Sequence, residues 1–220
     1  GLCQTAAFQG LEQWALLDGG AGHVALLAYT MPFWAVLLAW LILGDTPTAR
    51  HWLGLTLAAG GLLCIIEPWH AMGSALSTSL AITGGLAWAA GTVLSKRLFR
   101  QHSPGVLNLT AWQMLAGGVG LGLVALVVPQ RPLVWNWAFI GGLAYSAVLA
   151  SALAWWLWSI VLQRLSTTAA SVSSLGVPVL TVLLAWLLLH ERPSALEAAG
   201  IVLVLLGLLA VSGVGARRRG

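Results

Sequence analysis

The chain has 220 residues, of which 59% are hydrophobic and only 7% charged, and its mean hydropathy is +0.91, whereas a soluble domain carries roughly 25% charged residues. This composition excludes an ordinary soluble domain and predicts a membrane protein. The net charge of +4 does not indicate nucleic-acid binding, because the ten basic residues are scattered among apolar segments and form no basic face.

Charged residues and Pro/Gly clusters divide the chain into eight hydrophobic segments, each close to the length that crosses a bilayer. The segments are Leu2 to Leu17, His23 to Leu43, Arg50 to Ile66, Leu76 to Lys96, Pro104 to Val128, Val134 to Gln163, Thr168 to Leu189 and Ala195 to Val214. The connections between them are too short to fold as a separate soluble domain. We therefore expect an all-α, polytopic membrane helix bundle whose function resides within the membrane.

Basic residues are distributed unevenly between the two ends of these segments. If successive segments alternate in direction, eight Lys and Arg residues fall at one end and two, Arg131 and Arg192, at the other. Positive charge is favoured on the cytoplasmic side. The sequence therefore predicts a multi-pass protein of the bacterial inner membrane whose C-terminus, with Arg217 to Arg219, is cytoplasmic.

Two stretches of the chain are alike: "MPFWAVLLAWLILGDTP" at 31–47 and "VPVLTVLLAWLLLHERP" at 177–193. One offset of 146 residues superposes them and also aligns several Pro and Gly residues: Pro32 with Pro178, Gly54 with Gly200 and Gly61 with Gly207. This offset covers five segments, an odd number, so the second copy crosses the membrane in the opposite direction. The pattern predicts an inverted repeat, and we expect two further spans before Gly1 in a ten-span (5+5) fold.

The repeated pattern "AYTMPFWAVLLAWLILGD" and "SLGVPVLTVLLAWLLLHE", each followed by spaced glycines, resembles the EamA-type transporters of the drug/metabolite transporter (DMT) superfamily. The chain departs from that family at Asp45 and at His190-Glu191, which replace the commoner Gly-Glu closure. The resemblance implies three units. Residues 1–69 are expected to be the last three helices of the first repeat, residues 70–214 the five helices of the second, and residues 215–220 a basic cytoplasmic tail.

The first segment has a polar face that carries Gln9 and Glu12. The offset of 146 places this face on a face of the sixth segment that includes Ser151, Trp155 and Trp158. We expect the two related faces to form opposite walls of one cavity.

Glu12 is the only acid clearly inside a segment, and an ionisable group in a bilayer is a candidate for function. It would bind a cationic or amino group or carry a coupling proton. Alternatively, it reaches the outer interface beside Asp18.

Further cavity candidates lie on the fourth and seventh segments. Trp88 and Thr92 are spaced along one helix face, as are Ser171 and Ser174 beside Pro178. The hydroxyls have the alternative of bonding back to their own helix.

Pro32 and Pro178 are predicted hinges, because a mid-helix proline frees the carbonyl four residues earlier, at Ala28 and Ser174. A packed kink without a ligand is the alternative.

Smaller features are predicted to be structural. Ser194 and Glu197 have capping-box spacing. Glycine pairs are expected to permit close helix approach; they are Gly60-Gly61, Gly84-Gly85, Gly118 with Gly122, and Gly141-Gly142. No metal site or cofactor is predicted, since the histidines lie at segment ends and Cys3 and Cys64 lack ligand spacing.

These features and the resemblance lead us to expect a secondary transporter that exports small metabolites such as amino acids by alternating access, and not an enzyme. Proton-coupled efflux of lipophilic cationic drugs is the alternative within transport. A membrane-embedded enzyme acting on lipid and a non-transporting subunit or fragment are the alternatives from other classes. The expected partners are a small-molecule substrate, the lipid bilayer and protons as the coupling ion, without nucleic acid; monomer and homodimer both remain open.

Overall fold

The computed structural model describes residues 1–67, 74–128, 133–190 and 193–212, and within these ranges every regular element is helical. Two π-helical segments, Leu2–Ala7 and Ser146–Leu153, lead directly into α1 and α8. The α-helices are α1 (Phe8–Asp18), α2 (Ala21–Ala28), α3 (Met31–Leu43), α4 (Ala49–Ile66), α5 (Ala75–His102), α6 (Val106–Val127), α7 (Trp137–Tyr145), α8 (Ala154–Arg164), α9 (Thr167–Ser173), α10 (Gly176–Leu189) and α11 (Ala195–Ser212).

The helices reproduce the predicted segments. The second segment consists of α2 and α3, the sixth of α7, a π-helical segment and α8, and the seventh of α9 and α10. Five helices in the described ranges are long and apolar enough to cross a membrane, and α11 adds a shorter apolar one; the five are His23–Leu43, Ala49–Ile66, Val106–Val127, Trp137–Arg164 and Thr167–Leu188. The predicted all-α membrane bundle is confirmed, and the structure is consistent with eight spans.

The second and seventh spans break at equivalent positions. One break separates α2 from α3 just before Pro32, and the other separates α9 from α10 just before Pro178. At the second break, the Ser174 carbonyl accepts a hydrogen bond from the backbone N–H of Val177 at 3.1 Å. The prediction that Pro178 leaves the Ser174 carbonyl free is therefore wrong. Pro178 has no backbone N–H, but a tighter turn lets the N–H of Val177 bind the Ser174 carbonyl instead.

The third and eighth spans, α4 and α11, cross at four glycines. A β-carbon at Gly54 would lie 2.7 Å from the Gly207 carbonyl oxygen, and one at Gly61 would lie 2.5 Å from the Gly200 carbonyl oxygen. These contacts run antiparallel, from the start of α4 to the end of α11. Since the repeat offset aligns Gly54 with Gly200 and Gly61 with Gly207, each helix presents the same pair to the other, as around a two-fold axis.

Close helix approach is absent at several of the other predicted glycines. A β-carbon at Gly118, Gly122 or Gly60 would have no atom of another element within 4 Å, and the same holds for both members of the Gly141-Gly142 pair. A GxxxG spacing therefore does not mark a packed crossing in α6. At Gly85, by contrast, a β-carbon would lie 3.1 Å from the Ala28 carbonyl oxygen, so α5 approaches the break in the second span closely.

Polar contacts tie the helices together at both ends of the bundle. We call one end the basic end because it carries Arg50, Lys96, Arg97, Arg100 and Arg164. There the Arg100 guanidinium donates two hydrogen bonds, of 3.0 and 2.8 Å, to the Asp45 carboxylate and joins α5 to the end of α3.

At the opposite end, the Ser77 hydroxyl donates to the Ala15 carbonyl at 2.7 Å, and His23 Nε2 lies 3.1 Å from Thr78 Oγ1. The basic residues Arg131, Arg192 and Arg217 to Arg219 used in the orientation prediction lie outside the described residues.

The ends of the repeated helices show where the two copies agree. The predicted capping box is confirmed: the Glu197 carboxylate accepts from the Ser194 N–H at 2.7 Å, and the Ser194 hydroxyl accepts from the Glu197 N–H at 3.1 Å. Helices α3 and α10 both end on a residue with left-handed backbone, Gly44 at φ 71° and His190 at φ 58°. These residues are aligned by the repeat, so the geometry is kept although only the first copy has the glycine that favours it.

Candidate functional site

A cavity of about 370 Å³ lies between the two related helix faces. Span 1, which consists of the π-helical segment Leu2–Ala7 and α1, contributes Phe8 and Gln9. The sixth span contributes Ala154, Trp155 and Trp158. The repeat offset aligns Phe8 with Ala154 and Gln9 with Trp155. Equivalent positions of the two copies thus line one space.

Four of the eleven residues that line the cavity are aromatic, and they cluster around Trp88 of α5. The ring centroid of Trp88 lies 4.9 Å from that of Phe8, 6.3 Å from that of Trp155 and 6.1 Å from that of Trp158. These separations lie within the range of favourable aromatic pairs. We call these four rings, Phe8, Trp88, Trp155 and Trp158, the box around Trp88. Because they come from three spans, the box forms only when span 1, α5 and α8 are packed together.

Two of the indoles carry an unsatisfied donor. The Nε1 atoms of Trp88 and Trp158 are buried and have no hydrogen-bond partner in the structure. A buried N–H without an acceptor costs roughly 1–3 kcal/mol, so a ligand that brings an acceptor to these rings would be favoured.

The cavity has polar groups but no charge on its described wall. Gln9 supplies an amide, and Ser173 and Ser174 supply hydroxyls. Each serine hydroxyl donates to its own helix, Ser173 to the Ala170 carbonyl at 2.6 Å and Ser174 to the Ser171 carbonyl at 2.7 Å. The hydroxyl oxygens remain acceptors for a ligand, whereas the amide offers both a donor and an acceptor.

Five of the candidate residues named from the sequence line this cavity, and four do not. Those on the wall are Gln9, Trp88, Trp155, Trp158 and Ser174. Thr92 is fully buried and accepts a hydrogen bond from Gln4 Nε2 at 3.4 Å. Ser171 is fully buried, and its hydroxyl has no partner. Ser151 is half-buried in the π-helical segment, between the wall residues Ala150 and Ala154.

Glu12 lies near the cavity without lining it. It is half-buried on α1, about one helical turn from Gln9. Glu12 is thus placed between the cavity and the end of the bundle opposite the basic end.

Sequence reasoning missed six wall residues, namely Phe8, Ala150, Ala154, Val161, Ser173 and Val177. Phe8 and Ala154 were detectable, because the repeat offset aligns them beside Gln9 and Trp155. Ser173 and Val177 flank the break before Pro178, and no sequence signal distinguishes them from neighbours that face elsewhere.

A layer of buried polar side chains lies on the basic-end side of the cavity. We call it the polar layer, and its members are Gln4, Thr92, Ser95, Thr110, Gln113 and Ser159. Gln113 Nε2 donates to the Ser95 hydroxyl at 2.7 Å, and the Thr110 hydroxyl donates to the Ser159 hydroxyl at 2.9 Å. With the Gln4 to Thr92 bond, these contacts join span 1, α5, α6 and α8.

Nothing in the described ranges resembles a metal centre, since they contain no group of three or more His, Cys, Asp or Glu residues placed to hold an ion. The thiols of Cys3 and Cys64 are free and half-buried. The rings, the amide and the hydroxyls on the cavity wall are suited to non-covalent binding of a small molecule.

Comparison with known proteins gives one consistent result. The chain matches the EamA-like transporter family over residues 1–67 and 76–213. It is 25% identical over 211 residues to "Uncharacterized transporter YoaV" of Bacillus subtilis (strain 168), covering 94% of this chain and 72% of that protein. It is 26% identical over 199 residues to a "Probable amino-acid metabolite efflux pump" of Escherichia coli (strain K12), covering 86% of this chain and 66% of that protein.

The fold is also found among solved structures. One, described as "Crystal structure of protein", superposes with a TM-score of 0.80 at 21% sequence identity and covers 96% of this chain and 73% of that chain. This similarity extends to the helix arrangement of nearly the whole chain.

Proposed function

Because the chain belongs to the EamA-like transporter family, we propose that it is a secondary transporter that exports a small metabolite, such as an amino acid, through the aromatic cavity. The chain is a multi-pass membrane protein, and its relatives are named as transporters, which favours transport over catalysis.

The observation that carries this proposal is the position of the cavity between equivalent faces of the two copies. Phe8 and Gln9 of span 1 face the same space as Ala154 and Trp155 of the sixth span. In transporters built from inverted repeats, the substrate site lies at the interface of the repeats near the middle of the bilayer. The antiparallel crossing of α4 and α11 supports this arrangement.

The wall chemistry supports a neutral or zwitterionic substrate with an apolar part. The rings of Phe8, Trp88, Trp155 and Trp158 offer stacking surfaces. A substrate carboxylate would supply the acceptor that the buried indole N–H groups of Trp88 and Trp158 lack. An amino acid combines these features, and the Escherichia coli relative is named as a probable efflux pump for amino-acid metabolites.

Alternating access would use the two helix breaks as hinges. Pro32 and Pro178 follow breaks at equivalent positions of the second and seventh spans. Movement there would tilt α3 and α10 relative to α2 and α9 and would expose the cavity at either end in turn. Replacing either proline with alanine should restore a continuous helix and lower the exchange rate, while the affinity for substrate, measured by competition, stays within about twofold.

The basic end is assigned to the cytoplasm of a bacterial inner membrane, because positive charge is favoured there. The C-terminus then lies on the same side. Residues 1–69, 70–214 and 215–220 are proposed as the end of the first repeat, the second repeat and a cytoplasmic tail.

A second candidate function is proton-coupled efflux of lipophilic cations, and the position of Glu12 favours it. This acid is half-buried within span 1, one turn from Gln9 of the cavity wall. A carboxylate there would attract a cation or carry a proton between the two sides.

Counterflow in proteoliposomes separates the two candidates. Labelled amino acids and a cationic dye are tested with the unaltered protein, Trp88→Ala, Glu12→Gln and the control Trp112→Ala, whose ring is 65% exposed on the outside of α6. We expect amino-acid exchange that falls at least about tenfold in Trp88→Ala and is unchanged in Trp112→Ala. Dye exchange that is lost in Glu12→Gln would support cation efflux instead. Absence of both exchanges in correctly inserted protein would overturn the transport proposal.

A further inference from the structure

Lys96 is buried at the basic end, although in the sequence it is only one of several cations near the end of the fourth segment. Its side chain is 7% exposed, and Nζ donates hydrogen bonds to the backbone carbonyls of Leu162 at 2.8 Å, Gln163 at 3.3 Å and Leu165 at 2.6 Å. The neighbouring Arg97 is exposed. The two adjacent cations of α5 therefore have different environments.

The three carbonyls belong to the C-terminal end of α8. The last carbonyls of a helix lack intrahelical donors, and the end of the helix carries partial negative charge. An ammonium group with three donors satisfies both conditions. Within the described ranges no acidic side chain forms an ion pair with Lys96, and the three carbonyls are its hydrogen-bond partners.

The contact fixes a helix that carries the cavity wall. Helix α8 holds Trp155 and Trp158, and its Ser159 belongs to the polar layer. Lys96 lies eight residues along α5 from Trp88, which is about 12 Å along a helix. The bonds of Lys96 and the polar layer together hold α8 against α5 and α6 between the cavity and the basic end.

We propose that Lys96 is a positioning residue of the transport cycle, which holds α8 against α5 and keeps the cavity closed toward the basic end. Opening toward that end requires Nζ to leave the three carbonyls. The inference rests on the proposed function, because it assigns a role in alternating access to a residue that does not touch the substrate. It also predicts that the two adjacent cations, Lys96 and Arg97, are not interchangeable.

Accessibility of the cavity tests this role without measuring transport. Val161 lines the cavity and is half-buried, and Val161→Cys is introduced after Cys3 and Cys64 are replaced with serine. A membrane-impermeant maleimide is added to sealed vesicles of either orientation. In Lys96→Met, labelling from the face of the basic end should be about tenfold faster or more, the effect expected from losing one hydrogen bond to a charged group. Labelling from the other face should not rise.

Matched variants separate position from charge. Arg97→Met removes the adjacent exposed cation and should leave the labelling rate unchanged. Lys96→Arg retains a cation that can bind carbonyls and should restore slow labelling. If Lys96→Met is not inserted, Lys96→Gln is measured, which keeps two N–H donors without charge and should label at an intermediate rate.

The outcomes distinguish this inference from the proposed function. The role of Lys96 is overturned if Lys96→Met is labelled from the basic end at the same rate as the unaltered protein. Lys96→Gln replaces Lys96→Met in this comparison where the latter is not inserted. This outcome overturns the role even if the unaltered protein exchanges amino acids. Fast labelling of the unaltered protein from the basic end overturns it as well. Faster labelling in the Lys96 variant, in a protein that exchanges no substrate, supports the positioning role and counts against the proposed function.

Discussion

Replacing Gly61 with alanine tests the crossing of α4 and α11, which joins the two copies. The new β-carbon would lie 2.5 Å from the Gly200 carbonyl oxygen and 2.8 Å from the backbone nitrogen of Val204. Both are backbone atoms of a helix and cannot rotate away as a side chain can, so the helices must separate. Gly60 is the matched control, because it is adjacent on α4 and a β-carbon there would have no neighbour within 4 Å.

The expected magnitude follows from two opposing effects. Alanine favours the helix over glycine by about 1 kcal/mol at either position, whereas forcing extra volume into a packed contact costs roughly 1–3 kcal/mol. Gly60→Ala should therefore be neutral or stabilising by up to about 1 kcal/mol. The difference between the two variants isolates the clash, at roughly 1–3 kcal/mol. At about 2–4 °C per kcal/mol for a chain of this size, their melting midpoints should differ by about 2–12 °C.

The assay is the fraction of detergent-solubilised protein that remains monodisperse after heating, measured for both variants in one detergent. Gly61→Ala is expected to have the lower midpoint. A midpoint at or above that of Gly60→Ala would show that the backbones of α4 and α11 do not touch at Gly61.

Three further predictions concern stability and use the same melting assay. Ser77→Ala removes the buried hydrogen bond to the Ala15 carbonyl at the end of α1. Because that carbonyl still accepts from the Gly19 N–H, the loss should be about 0.5–1.5 kcal/mol. Ser79→Ala, whose exposed hydroxyl bonds only to its own helix, should change stability by less than about 0.5 kcal/mol, and equal effects would contradict the assignment. Asp45→Asn breaks the exposed pair with Arg100 and should cost less than about 1 kcal/mol, with the loss shrinking in high salt; a larger, salt-independent loss would count against it. His190→Gly should stabilise the protein by about 1 kcal/mol, because His190 has left-handed backbone, and a lower midpoint would show that the histidine side chain has a role of its own.

Part of the candidate site could be predicted from the sequence, because the repeat aligns positions of the two copies that line the same cavity. Gln9, Trp155 and Trp158 were found from the polar face of span 1 and its counterpart 146 residues later. The same procedure selected Ser151, which lies between two wall residues without lining the cavity itself. Ala150, Ser151 and Ala154 point in neighbouring directions on a helix wheel. The wheel therefore does not show which of the three faces the cavity.

Hydroxyls and cations were harder to place than the aromatic rings. Thr92 and Ser174 have the same spacing signals, yet Thr92 accepts a hydrogen bond from another span and Ser174 lies on the cavity wall. Lys96 was predicted as the last residue of the fourth segment and counted only as one of the cations at that end, but it binds the end of α8. A polar group in a helix finds its partner on its own helix, on a neighbour or on a ligand, and the sequence does not distinguish among these.

The sequence by itself determined that the chain is a bundle of membrane helices with an internal repeat whose two copies cross the membrane in opposite directions. That information is local, because hydropathy sets the spans and an odd number of spans in the offset sets the inversion. Tertiary structure alone decided which faces meet: the glycine crossing of α4 and α11, the box around Trp88, and the burial of Lys96. Each of these depends on contacts between residues far apart in the chain. The sequence does not show which faces meet, because apolar positions that face lipid and those that face protein have the same composition.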